Sequence, residues 1–394
     1  MIRKTYPPGA TIFFEGQPAD CAYIVERGQV EICAFREQTH ITLATLGRGE
    51  IFGEMAVIDE GVRSAEARAV EETEVLIIRS EQLTRRILEA EPIVGQVLSS
   101  LITRLRRAQT GFLNDLPSRM GAGHVVVPAN GDDAGPGGAA LDWLHREYDL
   151  ERGLGAGEFE PFFQPIVTIA DGTLAGFEAL ARWRHPERKL VPPSDFIELG
   201  EKCGLIRRID IAIIAQACRI LRNAASGRTM PFLSVNLSAQ HFTDLGIVDS
   251  LAKILGDTGF QPAHLKVELT ETALVDDPRK AHEILTRIKD LGITIALDDF
   301  GTGYSSLSYL HSFPFDVLKI DQSFVRQLGR PGRTHDIVQT IITLAKRMGM
   351  DVVAEGIETP DLIPPLRELG CTFGQGYHYS RPVPACDLGA LLAR

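Results

Sequence analysis

The sequence predicts a multidomain protein in which an antiparallel β domain precedes a larger parallel α/β barrel. The first 80 residues consist of short apolar runs separated by glycines, at 11–14, 22–25, 30–33, 41–43 and 74–78. Short strands at this density are typical of an antiparallel sandwich or barrel. Farther along, strand-like runs alternate with helix-length segments, at 159–167, 174–180, 232–237, 265–269, 293–297, 317–320 and 350–353. Such alternation is what a parallel barrel requires.

Two further segments lie between these domains. Apolar residues recur near a helical period after Ser80, which predicts a helix that Pro92 divides. Residues 93–107 carry an apolar stripe that packs either on the β domain or on a second copy of the chain, and from it we expect a homodimer. The Gly-, Pro- and Asp-rich stretch that follows predicts a linker. The predicted domains are 1–112 for the front domain with its helix, 113–140 for the linker and 141–394 for the barrel.

Composition limits the partners and the location. The chain has 41 Lys and Arg against 52 Asp and Glu, a formal charge of −11, which argues against a nucleic-acid partner. No apolar run approaches the ~18 residues of a membrane span, so no membrane partner is expected. The amino terminus carries Arg3 and Lys4 where a secretory signal would be apolar, and we expect a cytoplasmic protein. The six cysteines show no CxxC pair, which indicates reduced, mostly buried thiols.

Polar residues stand late in several of the predicted barrel strands. Residues two apart share a face of a strand, so Glu268 lies opposite Leu265, Val267 and Leu269. The same reasoning applies to the acids, amide and lysine near the other strand ends, Glu178, Asn236, Asp298, Asp299, Lys319, Asp321 and Glu355. Carboxylates converging on one barrel mouth need cations among them. Oxygen ligands are the set that Mg²⁺ or Mn²⁺ prefers.

Each of these residues also has a simpler explanation when taken alone. Adjacent Asp298 and Asp299 before glycine are more often a turn or a helix cap. Glu268 is compatible with a solvated strand end, and Lys319 with a core-edge lysine that reaches water. Asn236 is compatible with an amide that satisfies backbone groups. The joint occurrence of such residues at several strand ends favours a metal site.

The motifs built on these residues resemble the EAL family of cyclic di-GMP phosphodiesterases. They are EAL at 178–180, VNLS at 235–238, ELTE at 268–271, DDFGTGYSS at 298–306, KID at 319–321, EGIE at 355–358 and GQGY at 374–377. The match runs in unbroken order from about residue 159 to 384. The resemblance implies a modified (β/α)8 TIM-like barrel that hydrolyses one phosphodiester of cyclic di-GMP and yields linear pGpG.

The resemblance also implies roles for individual residues. One of two Mg²⁺ or Mn²⁺ ions would be held by Glu178, Asn236, Glu268 and Asp298, and the second by Asp298, Asp299 and Glu355. Lys319 would position the attacking water and Glu355 would be the general base. Glu271 would brace the loop after Asp299. Substrate contacts would come from Gln164, Leu180, Arg182, Asp321 and Gln375.

A second candidate site lies in the front domain. Backbone N–H groups after Gly53 can form an anion-binding nest, Arg63 can pair with a phosphate, and Glu54 can accept ribose hydroxyls. An acid and an arginine on a loop are, however, usually solvated surface. The stretch 49–65, including Ser64, resembles the phosphate-binding cassette of cyclic nucleotide-binding domains. This implies a jelly-roll-like antiparallel β-roll with C-terminal helices.

This second resemblance has two departures. Val62 replaces a common proline, and residues 105–109 lack the hydroxyls that hold adenine in the catabolite-activator branch. Base identity therefore stays open, and we favour cyclic AMP over cyclic GMP as an allosteric ligand.

The sequence thus predicts a cyclic di-GMP phosphodiesterase regulated by a cyclic mononucleotide. One alternative is a catalytically weak or inert receptor of cyclic di-GMP. The other is an enzyme whose front domain binds nothing and serves only to dimerise.

Overall fold

A computed structural model describes residues 2–36, 39–58, 61–83, 102, 136–274, 277–301, 307–328 and 333–393. The chain divides into two compact units, Met1–Tyr148 and Asp149–Arg394. Apart from Ile102, the apolar stripe expected at 93–107 lies outside the described residues. Within the described ranges, none of the helices combines the length and the apolar character that crossing a bilayer demands.

The front unit is built from two four-stranded antiparallel sheets. Its strands are β1 (Ile2–Tyr6), β2 (Thr11–Phe13), β3 (Cys21–Arg27), β4 (Val30–Arg36), β5 (Thr39–Leu46), β6 (Ile51–Phe52), β7 (Glu66–Ala69) and β8 (Thr73–Arg79), and a short helix, α1 (Glu54–Ile58), follows β6. The sheets have the orders β1-β8-β3-β6 and β2-β7-β4-β5. Phe13, Tyr23 and Phe52 contact one another in the core, with Tyr23 stacked on Phe52 at 5.1 Å between ring centroids. The predicted jelly-roll-like front domain is confirmed.

Helix α2 (Pro136–Gly155) contains the division between the two units. It begins inside the segment predicted to be linker, because proline is favoured in the first turn of a helix and Ala139 and Ala140 continue it. The two compact units meet at Tyr148 and Asp149, and the domain bounds 1–112, 113–140 and 141–394 stay predictions from the sequence.

The second unit is a closed eight-stranded barrel. Its strands are β9 (Phe159–Thr168), β10 (Leu174–His185), β12 (Phe232–Asn236), β13 (Leu265–Thr270), β14 (Thr294–Phe300), β15 (Val317–Ile320), β16 (Asp351–Ala354) and β17 (Phe373–Gln375), and β11 (Lys189–Val191) extends the edge of β10. Strand β9 is antiparallel to both of its neighbours. Only residues 169–173 separate β9 from β10, which is too short for the crossover that parallel strands need. The predicted modified barrel is confirmed.

Helices cover the outside of the barrel. Those described are α3 (Ile197–Lys202), α4 (Ile206–Ala224), α5 (Gly246–Thr258), α6 (Pro278–Asp290), α7 (Leu307–Ser312), α8 (Gln322–Val325), α9 (Arg333–Arg347), α10 (Ile363–Glu368) and α11 (Leu388–Leu391). Helix α4 buries Ile206, Ile209, Ile213, Ala217 and Leu221, whose spacing is that of one helix face. The apolar side chains on the outer face of the strands pack against the helices, so the side chains on the inner face are not needed for this core.

Apolar and aromatic side chains fill the barrel interior toward the amino ends of its parallel strands. Ile166, Ala296, Val317 and Val353 form a buried cluster against which Phe232 and Phe373 pack. The Lys266 ammonium lies 3.6 Å from the centroid of the Phe232 ring. The cluster of charged side chains in the barrel lies toward the carboxyl ends of the parallel strands.

Candidate functional site

The inward residues near the carboxyl ends of six consecutive strands form the candidate site. They are Glu178 on β10, Asn236 at the end of β12, Glu268 on β13, Asp298 on β14, Lys319 on β15 and Glu355 directly after β16. Leu265, Val267 and Leu269 pack in the outer apolar layer, so Glu268 on the other face of β13 points into the barrel. There it meets Lys319, which is only 1% exposed.

Lys319 lies at the centre of a carboxylate cage. Its Nζ is 2.6 Å from Glu268 Oε2, 2.6 Å from Glu355 Oε1, 3.1 Å from Asp298 Oδ1 and 3.8 Å from Glu178 Oε2. Burial alone would lower the pKa of Lys319, but the surrounding carboxylates outweigh it and hold that pKa well above its ordinary value. The lysine is therefore a permanent cation in the cage.

The carboxylates respond differently to the same surroundings. Burial, together with Asp298 and Glu178, raises the pKa of Glu355 to about 8 against the opposing charge of Lys319. Burial also raises the pKa of Glu268 well above its ordinary value. Burial acts in the same direction on Glu178, but Lys319 and the amides of Gln375 and Asn236 reverse it, and its pKa is lowered.

One part of the cage has the donor set of a cation site. Oxygen atoms of Asp298, Asp299 and Glu355 lie within 4.8 Å of one another. Asp299 adopts a left-handed backbone with φ 52°, and its N–H donates to Asp298 Oδ1 at 2.9 Å. Asn236 donates its Nδ2 to Glu178 Oε1 at 2.8 Å, so its Oδ1 is left to accept. These oxygen donors fit Mg²⁺ or Mn²⁺.

Two glutamines hold Glu178 from the other side. Gln375 Nε2 donates to Glu178 Oε2 at 2.6 Å and to Gln164 Oε1 at 3.0 Å. Gln164 in turn donates to the Ser380 carbonyl at 3.2 Å. In this structure the two predicted substrate contacts therefore also fix the orientation of Glu178.

A cavity of about 260 Å³ opens above the cage. Its walls include the predicted residues Gln164, Glu178, Leu180, Asp298, Lys319, Glu355 and Gln375. Asn236 and Glu268 do not line the cavity, but they form hydrogen bonds with Glu178 and Lys319, which do. The Asp321 side chain instead caps α8 by accepting from Ser323 N–H at 2.9 Å. The loop that Glu271 is predicted to brace includes residues 302–306, outside the described ranges.

Six further residues line the same cavity, Gln322, Arg326, Gly356, Glu358, Gly376 and Tyr377. The Arg326 guanidinium donates to Glu358 Oε1 at 2.5 Å across the rim. Glu358 and Tyr377 are the last residues of the EGIE and GQGY motifs, and the resemblance to the EAL family predicts no role for either residue. Gln322 and Arg326 belong to no motif, and only their position shortly after β15 could have indicated them as site residues.

The predicted nucleotide-binding residues lie together in the front unit. Gly53, Glu54, Arg63 and Ser64 line a cavity of about 220 Å³ whose other walls are mostly apolar. The backbone of Gly53 has φ 73°, and a Cβ there would meet Arg63 Nη1 at 2.5 Å. Burial raises the pKa of Glu54. The cavity thus has an apolar side and a polar side.

Arg63 is buried rather than displayed on a loop. It is 3% exposed, donates to the carbonyls of Gly53 at 2.6 Å and Cys21 at 2.7 Å, and lies 4.2 Å from the Phe13 ring centroid. Within the described part of the chain, no carboxylate forms an ion pair with it and its Nε has no hydrogen-bond partner. A buried, unpaired guanidinium beside a cavity is suited to an anionic ligand.

Two family models match the chain. Residues 147–382 match the EAL domain, and residues 3–89 match the cyclic nucleotide-binding domain. The chain belongs to the EAL domain family. The predicted resemblance is confirmed for both parts of the chain.

Individual relatives share these parts to different extents. The structure of the EAL enzyme Bd1971 with cAMP and cyclic di-GMP bound is 34% identical, with a TM-score of 0.64 over 99% of this chain and all of that chain. The cyclic di-GMP phosphodiesterase NbdA of Pseudomonas aeruginosa is 39% identical over 254 residues, 64% of this chain and 32% of that protein. A signaling protein of Caulobacter vibrioides is 42% identical over 236 residues, 60% of this chain and 29% of that protein. The chain spans about a third of the length of these two curated relatives.

Proposed function

We propose that this chain is a metal-dependent phosphodiesterase that hydrolyses cyclic di-GMP to linear pGpG, and that cyclic AMP bound to the front unit regulates it. The carboxylate cage carries this proposal. Four carboxylates, those of Glu178, Glu268, Asp298 and Glu355, surround the ammonium of Lys319. Asp299 lies beside Asp298 and Glu355 and adds a fifth carboxylate. Ionised, they leave four formal negative charges, which two divalent cations would balance.

The residues divide the work of a two-metal hydrolysis. We assign one ion to Glu178, Asn236, Glu268 and Asp298, and the second to Asp298, Asp299 and Glu355. Two such ions, when bound, neutralise charge on the phosphodiester and acidify the attacking water. Glu355 accepts the proton of that water, and Lys319, 2.6 Å from Glu355, orients this base and the water. Gln164, Leu180 and Gln375 line the cavity that holds the dinucleotide, and the contacts of Arg182 and Asp321 with it stay predictions from the sequence.

The relatives support the substrate and the effector. NbdA is named a cyclic di-GMP phosphodiesterase, and Bd1971 binds both cAMP and cyclic di-GMP. In this chain the unpaired Arg63 offers its charge to the cyclic phosphate, and Glu54 offers acceptors for a ribose. The apolar walls suit a purine. Cyclic GMP is the second candidate, while the homodimer and the cytoplasmic location stay predictions from the sequence.

Turnover of cyclic di-GMP by the full chain tests the proposal. We expect linear pGpG in Mg²⁺ or Mn²⁺, no product in excess chelator, and faster turnover when cyclic AMP is added. Binding of cyclic di-GMP without product in either metal would favour the receptor alternative. If turnover is the same without nucleotide, with cyclic AMP and with cyclic GMP, the proposed regulation by a cyclic mononucleotide is wrong.

A further inference from the structure

Asn236 is the only amide among the assigned metal ligands, and its orientation depends on the backbone that follows it. Its Nδ2 donates to Glu178 Oε1 at 2.8 Å. It is the last residue of β12, and the sheet ladder ends beside it, where Leu237 N–H donates to the Glu268 carbonyl at 2.9 Å. The next backbone group, Ser238 N–H, has no partner in the sheet.

One carboxylate oxygen on helix α4 accepts two hydrogen bonds from this turn, and Glu201 of α3 also holds the turn, since its Oε1 accepts from Ser238 Oγ at 3.0 Å. Asp210 Oδ2 accepts from Ser238 N–H at 3.1 Å and from His241 Nε2 at 3.1 Å. An ionised carboxylate can accept hydrogen bonds but cannot donate them, so Nε2 of His241 carries the hydrogen of this bond. The turn is closed by His241 N–H, which donates to the Ser238 carbonyl at 3.0 Å. The side chains of Asp210 and His241 are 13% and 2% exposed, so water competes little for these bonds.

We propose that Asp210 is a positioning residue for the metal ligand Asn236, acting through Ser238 and His241. The inference rests on the proposed function, in which Asn236 binds a divalent cation. Asp210 is not among the residues that line the cavity or form the cage, and none of the EAL-family motifs includes it. Its effect on the site passes through two residues of backbone, from Ser238 to Asn236. Partners that orient a metal ligand from behind typically change metal affinity 10- to 100-fold when removed.

The chain offers a matched control on the connection that follows β12. Asp244 follows the turn, pairs with Arg207 of α4 at 2.8 Å and accepts from Gly246 N–H at 2.7 Å. It is 49% exposed and makes no bond to Ser238 or His241. Asp244→Asn removes the same charge from the same region and leaves the turn after Asn236 intact.

Calorimetric titration of Mn²⁺ into the full chain, without substrate, tests the proposal. We expect Asp210→Asn to raise the Mn²⁺ dissociation constant about 10- to 100-fold, and Asp244→Asn to change it less than about threefold. At saturating Mn²⁺, turnover of Asp210→Asn should return close to the parent rate, because Asp210 contacts no reacting atom.

Several outcomes overturn the assignment. Equal Mn²⁺ affinity of Asp210→Asn and the parent would do so, as would an equal loss in both variants, which would indicate general loosening of α4. If Asp210→Asn does not fold, His241→Leu replaces it, since it keeps the Ser238 bond and should give a smaller loss in the same direction. A parent chain that binds no Mn²⁺ would instead refute the metal site, and the proposed function with it.

Discussion

Removing the ammonium at the centre of the cage should destabilise the metal-free protein strongly. Lys319→Met keeps much of the side-chain volume and leaves Glu268, Glu355 and Asp298 without the cation that now lies within 3.1 Å of each. Breaking a buried ion pair by removing one partner costs about 3–5 kcal/mol. For a unit of this size, that cost corresponds to a fall of roughly 6–20 °C in the unfolding midpoint. Bound Mn²⁺ should reduce the loss, because it supplies positive charge to the same oxygens.

Thermal unfolding of the full chain, in chelator and in Mn²⁺, measures this effect. Lys289→Met is the matched control, since Lys289 pairs with Asp316 at 2.5 Å but both side chains are about one-third exposed. An exposed pair contributes only about 0–1 kcal/mol, so its midpoint should move by at most about 4 °C in either condition. If Lys319→Met unfolds in chelator no earlier than Lys289→Met, the cage is not charged as described.

Three further substitutions test the two cavities. Glu355→Gln should lower kcat about 10²- to 10⁴-fold in saturating Mg²⁺, because it removes the base that takes the proton of water. Single-turnover hydrolysis measures this loss of rate, and a near-parental kcat would refute the role of Glu355 as the general base. Arg63→Lys keeps the charge but cannot replace both guanidinium bonds, and calorimetry should show roughly 10- to 100-fold weaker cyclic AMP binding with unchanged basal hydrolysis. Glu54→Gln should weaken cyclic AMP binding by a similar factor yet raise the unfolding midpoint of the ligand-free chain at pH 7. Burial raises the folded-state pKa of Glu54, so its ionised form destabilises the fold, and the gain should vanish at pH values where the carboxyl is protonated in both states. A lower midpoint for Glu54→Gln at pH 7 would contradict that account.

The alternation of apolar and polar residues along the strands made it possible to predict which side chains point into the barrel. Alternation within 265–269 and 317–320 separates Glu268 and Lys319 from their apolar neighbours, and the structure brings these two side chains to 2.6 Å. The same alternation holds for parallel and antiparallel strands, so it carries no information on the direction of β9. That direction follows from the short connection at 169–173.

Features that depend on tertiary packing were not predictable from local pattern. Strand β17 has three residues with Gly374 in the middle, so it shows no apolar alternation. Arg63 lies on the connection between α1 and β7, and its burial by neighbouring carbonyls and the Phe13 ring has no signal in the local sequence. The Asp210 carboxylate looks like an ordinary helix acid in sequence, because its partners lie 28 and 31 residues away.

The reversed strand β9 has a consequence for the sequence that directly precedes the barrel. Phe159, at the start of β9, pairs with Trp183 near the carboxyl end of β10. The chain therefore begins the barrel at the rim of the cavity, whereas a barrel of eight parallel strands begins at the opposite end. Changes of sequence just before Phe159 thus fall at the end of the barrel that carries the carboxylate cage, whereas in a barrel of eight parallel strands they would fall at the opposite end.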